Sequence, residues 1–158
     1  MKVISSGYAP TNIKCTHAIK PATPTPTIAD ALRGISGQLD ILSSECESQQ
    51  ENMPANLQGS AAYDEVGEKA EAYRQLGEDL DCIVDSLDDN EADNGNGSNE
   101  EIYLSKIPFD SPRFITGSRP KRTGRLIQII EAVAAKVELL DTETAWSLRA
   151  IGTELECI

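Results

Sequence analysis

The apolar residues Ile28, Leu32, Ile35, Leu39, Leu42 and Cys46 recur at alternating steps of four and three. That spacing lines them up on one stripe of an α-helix and makes the stripe a seam for a second helix. Thr27 stands before the run as an N-cap. Asp30 follows at the third helical position, where a carboxylate satisfies free amides and suits the positive end of the helix dipole. Pro54 limits the run, because a residue before proline is driven out of the α region, so the helix should end near Gln50. Past the break, Ser60 is the expected cap of a second helix. Tyr63, Val66, Ala70, Tyr73, Leu76, Leu80, Ile83, Val84 and Leu87 again fall at helical spacing. So short a connection makes the two helices antiparallel neighbours, and residues 27–89 are read as one helical hairpin.

Centring the pairing on the connection gives a register. It sets Cys46 beside Val66, Leu42 beside Ala70, Leu39 beside Tyr73, Ile35 beside Gly77, Leu32 beside Leu80 and Ile28 beside Val84. Gly34 and Gly37 each weaken a helix by roughly 1 kcal/mol against alanine. Lying level with Gly77, they suggest a close helix crossing. The same register holds Cys46 and Cys82 more than ~7 Å apart, too far for a disulfide. Cys15, Cys46, Cys82 and Cys157 include no C-x-x-C pair. The first residues also lack the apolar run of a secretory signal. Free thiols in a reducing, cytoplasmic compartment are the expectation.

The rest of the core must come from a chain that is 39% hydrophobic but only 4% aromatic. Leu, Ile, Val and Ala in that proportion suit helix-on-helix packing better than a β-sandwich. From Thr123 the residues Leu126, Ile127, Ile129, Ile130, Val133, Ala134, Val137, Leu139 and Leu140 cover more than one stripe, which predicts a helix buried on two sides. Asp141-Thr142 should break it, with Ala145, Trp146, Leu148, Ile151 and Leu155 carrying a further segment. Trp146, the chain's one tryptophan, should seek a partner for its indole N–H. The expected fold class is all-α: an antiparallel hairpin packed on a C-terminal helix or helix pair in a small bundle. Residues 1–26, with Pro21, Pro24 and Pro26, read as an extended N-terminal arm. Residues 90–101 read as a flexible acidic linker. Residues 102–158 then hold a short edge strand near Ile102, a basic loop over 110–124 and the C-terminal helices that pack on the hairpin.

Charge is divided as sharply as hydropathy. The net charge is -12. Between Glu45 and Glu101 lie 17 acids against Lys69 and Arg74, a net of -15. Between Lys106 and Arg125 six bases face Asp110, a net of +5. Such a chain either folds its basic strip onto its own acidic face or offers two distinct surfaces. On the second helix the acids recur at three and four residues and fall between the apolar positions, which points them to solvent. Asp79, Asp81, Asp85, Asp88 and Asp89 are the expected contact residues of an acidic face for a basic partner. Arg119, Lys121, Arg122 and Arg125 form a loop able to hold an anion. Basic residues just before a helix oppose its dipole, which implies a partner for them, either another molecule or the chain's own acidic helix.

Catalytic constellations are missing from the sequence. His17 is the single histidine. Cys15-x-His17 lacks the two further ligands a zinc site needs. The paired carboxylates have no Glu-x-x-His to build a metal centre in a bundle. No phosphate loop, dinucleotide fingerprint or nucleophile elbow occurs. The expectation is a non-enzymatic protein with no cofactor and no metal. No stretch of 18 apolar residues predicts a membrane span, and the overall charge disfavours direct nucleic-acid binding.

The turn Asn52-Met53-Pro54-Ala55-Asn56-Leu57-Gln58-Gly59-Ser60, followed by an acidic amphipathic helix, resembles uncharacterised acidic helical-hairpin proteins of phages and mobile elements. Those usually carry glutamate where Ala55 stands here. The resemblance covers about residues 40–90. It implies a phage or mobile-element origin, with action in the host cytoplasm, and supplies no catalytic residue. The leading expectation is a small binding protein that inhibits a host defence protein through an anionic helical surface, as a mimic of the DNA backbone. A second reading is an assembly protein that forms homo-oligomers through the C-terminal helix. A third is sequestration of a nucleotide signal by the basic loop.

Overall fold

A computed structural model of the chain describes residues 26–92 and 106–158, with residues 88–92 described by backbone alone. The described residues form α1 (Ile28–Glu51), α2 (Ala61–Ala92), α3 (Arg119–Val137) and α4 (Thr142–Glu156). The arm, Cys15-x-His17, the edge strand near Ile102 and most of the linker lie outside the described residues.

α1 begins where its cap dictates. The Asp30 amide donates to Thr27 Oγ1 at 3.2 Å, and the Thr27 amide donates to Asp30 Oδ2 at 2.9 Å. This reciprocal capping box satisfies two amides that the helix itself leaves open. The Thr27 amide, then its hydroxyl, hold the Asp30 carboxyl below its ordinary value. At the far end, Leu57 N–H donates to the Pro54 carbonyl at 2.8 Å and closes the turn. Ser60 Oγ accepts from the Tyr63 amide at 3.4 Å as α2 starts. α2 then runs to Ala92, three residues into the segment expected as linker.

The hairpin pairs within one residue of the expected register. Ser43 Oγ donates to the Ala70 carbonyl at 2.8 Å, and Gln50 Nε2 donates to the Tyr63 carbonyl at 3.1 Å. The seam residues Ile28, Leu32, Ile35, Leu39, Leu42 and Cys46 are buried, as are Ala70, Tyr73, Leu76, Leu80, Val84 and Leu87 from α2. Cys46 and Cys82 are both free thiols. The glycines behave differently from expectation. A Cβ on Gly77 would sit 3.7 Å from Asp40 and 3.8 Å from Leu39, an ordinary contact, and one on Gly37 would meet nothing within 4 Å. No glycine-driven crossing is needed. Gly34 instead makes a seat for Phe114, whose ring would lie 2.9 Å from a Cβ there.

Residues 106–118 form a strap over the start of α1. Ile28 N–H donates to the Ile107 carbonyl at 3.0 Å, and Phe109 N–H donates to the Pro26 carbonyl at 2.9 Å. Thr27 and Pro108 form an isolated antiparallel bridge between them. Ile107 and Phe109 are buried beneath the strap.

α3 starts at Arg119, four residues before the expected Thr123, so the basic residues are helical and not in a loop. Pro120 lies in the first turn, where its missing N–H has no helical acceptor to lose. α3 and α4 form the second hairpin. Asp141 breaks the chain and caps α4, accepting from the Glu143 amide at 3.0 Å and the Thr144 amide at 3.2 Å. The Thr144 hydroxyl, with these amides, holds the Asp141 carboxyl below its usual value. Leu126, Ile129, Ile130, Val133, Ala134 and Val137 are buried with Ala145, Leu148, Ile151 and Leu155 of α4. α3 also touches α1, and α4 touches α2. Trp146 is an exception to the expected packing, with 69% of its surface exposed. No described helix is long and apolar enough to cross a membrane.

Thr27→Ala removes one half of the capping box. It should lower unfolding free energy by about 1 kcal/mol, measured by urea denaturation followed by circular dichroism. An unchanged midpoint would show that the strap, not the cap, fixes the start of α1.

Candidate functional site

The basic strip goes to α1 and not to the acidic face of α2. Because α3 opens with Arg119 and Arg122 on successive turns, both side chains reach the C-terminal half of α1. Arg122 Nη2 donates to Glu45 Oε2, and Arg119 Nη2 donates to Gln49 Oε1. Arg119 Nη1 also lies 3.0 Å from Cys46 Sγ, and its Nε lies 3.9 Å from Glu45. The Arg122 hydrogen bond holds the Glu45 carboxyl below its ordinary value, against a smaller opposing effect of burial. The same bond raises Arg122. Arg122 Nε is buried and has no hydrogen-bond partner, a cost carried by this docking.

The four expected anion-binding residues therefore separate. Arg119 and Arg122 are engaged by α1. Arg125 donates from Nε to the Arg113 carbonyl at 3.1 Å and from Nη1 to Gln128 Oε1 at 2.9 Å, fastening the strap. Lys121 is exposed, and its side chain makes no ion pair or hydrogen bond among the described residues. They do not converge on one anion.

The acidic face keeps its charge. In the first half of α2, Lys69 pairs with Glu65 at 2.9 Å, and Arg74 pairs with Glu71 and, at 3.9 Å, with Glu78. From Gln75 to Ala92 no lysine or arginine occurs, while Glu78, Asp79, Asp81, Asp85, Asp88, Asp89 and Glu91 do. Asp81 and Asp85 are exposed and make no ion pair among the described residues. Asp79 sits half-buried at the edge of the stripe, its carboxylate accepting from Gln75 Nε2 at 3.3 Å. The backbone places Asp88 and Asp89 on the same helix, with their side chains outside the described residues. No basic residue stands in the last turn, so these acids face the negative end of the helix dipole.

Two further features escaped sequence reasoning. A cleft of about 560 Å³ opens where the end of α1, the middle of α2, the start of α3 and the end of α4 meet. Gln49, Lys69, Tyr73, Arg119, Thr123, Ile127, Leu155 and Glu156 are among its walls. Lys69 and Tyr73 carry no motif, and only packing of four helices brings them to Thr123. The second feature is an apolar tip at the α3–α4 turn, where Leu139 is 88% exposed and Leu140 55%. Trp146 lies one turn into the following helix. No group of three or more metal-ligating side chains occurs among the described residues.

Comparison with family models, curated proteins and solved structures returns no match.

Glu45 offers a test of the hairpin docking. Its folded value is depressed, so the stabilisation is full above the ordinary glutamate value of 4.5 and is lost as pH falls through the lower folded value. Glu45→Gln should therefore melt below wild type at pH 7, and the gap should close as pH falls below 4.5 and through the depressed folded value. A gap independent of pH in thermal melts would show that the carboxylate charge is not what holds Arg122.

Proposed function

We propose that the chain is a non-enzymatic binding protein that presents the C-terminal half of α2 to a basic protein surface. The observation that carries this reading is that Asp81 and Asp85, in the base-free stretch of α2 after Arg74, make no ion pair among the described residues. Arg119 and Arg122 are engaged by α1 and Arg125 by the strap, while Asp81 and Asp85 are exposed. Carboxylates massed at the negative end of a helix raise its free energy, and a cationic partner relieves that repulsion. Three- and four-residue spacing keeps successive charges about 4.5–6 Å apart along the axis. A rigid anionic rod of that kind suits a channel built for a phosphate backbone. With the phage-like hairpin turn, the reading extends to a mobile-element protein that occupies the basic channel of a host defence protein in the host cytoplasm.

Neutralising Asp79, Asp81, Asp85, Asp88 and Asp89 together to asparagine tests this. Affinity capture from host lysate with wild type should retain a basic protein that the neutralised chain loses. Its measured affinity should fall at least about tenfold between 50 and 200 mM salt. Equal capture by both chains, or affinity flat with salt, refutes the reading.

A second reading, self-assembly, is favoured by the apolar tip. The apolar face of α3 is taken up by the monomer's own core, which turns attention to the tip of the second hairpin. Leu139, Leu140 and Trp146 remain for self-assembly. Sedimentation velocity should then show mass rising with concentration, reversed by Leu139→Ser with Trp146→Ser. A wild-type chain that stays monomeric at all concentrations removes this reading.

A further inference from the structure

We propose that the cleft between the two hairpins binds a small organic acid with a flat apolar body, its anionic group held at Lys69 and the Tyr73–Thr123 hydroxyl pair. The proposal does not depend on the acidic face of α2, which lies along a different part of the molecule. Its volume of about 560 Å³ is in the range of small-molecule sites, which are mostly apolar with a few converging polar groups.

The floor is polar and buried. Tyr73 is 4% exposed and Thr123 9%, and their hydroxyls lie 3.4 Å apart. Two hydroxyls carry two hydrogens, and the bond between them uses one. Neither hydroxyl has another hydrogen-bond partner among the described residues, so one donor remains for an occupant of the cleft. Lys69 stands four residues before Tyr73, one turn away on the same helix. Its ammonium is only partly committed, because Glu65, its partner at 2.9 Å, is largely exposed and lies outside the cleft wall. Three ammonium donors leave capacity for an incoming oxyanion. Arg119 adds positive charge at the rim, although its nitrogens are directed to α1. The apolar wall comes from Ile127 and Leu155, which suit a flat hydrocarbon body. Glu156 is the one carboxylate side chain in the wall. It opposes an anion, and that gives the proposal a signed consequence.

Carboxylates and phosphate monoesters share the required chemistry, so both serve as probes. The full chain, labelled with ¹⁵N, is titrated with 2-naphthoate and with 1-naphthyl phosphate. The amides of residues 69–73 and 119–127 should shift and saturate for at least one of them, and the tighter probe identifies the headgroup class. Inorganic phosphate and 2-naphthol, which each lack one half of the ligand, should bind at least about tenfold more weakly. Lys69→Met should weaken the tighter probe about tenfold. Thr123→Val should weaken it several-fold, and Glu156→Gln should strengthen it about threefold. Circular dichroism and thermal melts of each variant confirm folding, and Glu156→Gln, at an exposed position, gives a gain that misfolding cannot imitate. No saturable shift with either probe up to millimolar concentration overturns the proposal. So does 2-naphthol binding as tightly as the acids, or Glu156→Gln weakening them.

Discussion

The contact of Arg119 and Arg122 with the C-terminal half of α1 decides the electrostatics of the whole molecule. Each hairpin can bury one face in its own partner helix. The hairpins meet where α4 touches α2 and where α3 touches α1, and the second of these contacts is a polar cluster of Glu45, Cys46 and Gln49 against the first turn and a half of α3. Its worth in stability is modest, because Glu45 is 41% exposed and Arg122 Nε finds no partner. Its worth in specificity is larger. Two apolar helix pairs can slide past one another, whereas a guanidinium aimed at a single carboxylate fixes one alignment. That alignment also engages two of the chain's arginines.

Having spent them there, the molecule leaves two electrostatic regions at some distance from each other. Near the α1–α3 contact, cations and carboxylates are paired and the field is short-ranged. Past Gln75 the carboxylates of α2 act together, with no base in sequence until beyond the described part of the helix. The pairing by Ser43 and Gln50 sets Ile28 near the level of residue 85, so the last turns of α2 continue past the start of α1.

How much of this was legible depended on whether the cause was local. The seam from Ile28 to Cys46, the Thr27–Asp30 box and the break at Asp141 are set by residues within a few positions of each other, and they stand where the sequence places them. The start of α3 was not legible. Gly117, Pro120 and Gly124 carry turn chemistry, and a run of bases opposes the dipole, so local rules favour a loop. Long-range pairing with Glu45 and Gln49 overrides them. Gly34 was misread for the same reason, since its neighbour Phe114 is far away in sequence. Trp146 was misplaced because periodicity gives helical spacing but not which residues a third layer will cover. The cleft was invisible because its walls come from four helices, and the acidic stripe was visible because it lies on one.

The difference between stripe and cleft also separates what each can do. Charges on one helix need no tertiary precision to attract a partner, and the cost of gathering them is met by the seam beneath. Several like charges near a helix C-terminus each oppose folding by some tenths of a kcal/mol. A few buried leucines, at about 1.5–3 kcal/mol each, outweigh them. The hairpin therefore folds with the repulsion retained, and any cation that docks there lowers the free energy of the folded state more than that of the unfolded one. The cleft works in the opposite way. Its hydroxyl pair and ammonium are useful only when α2, α3 and α4 hold the alignment that the Arg122–Glu45 contact selects. The acidic face lies on one helix and the cleft on four, so the two surfaces depend on different levels of the same fold.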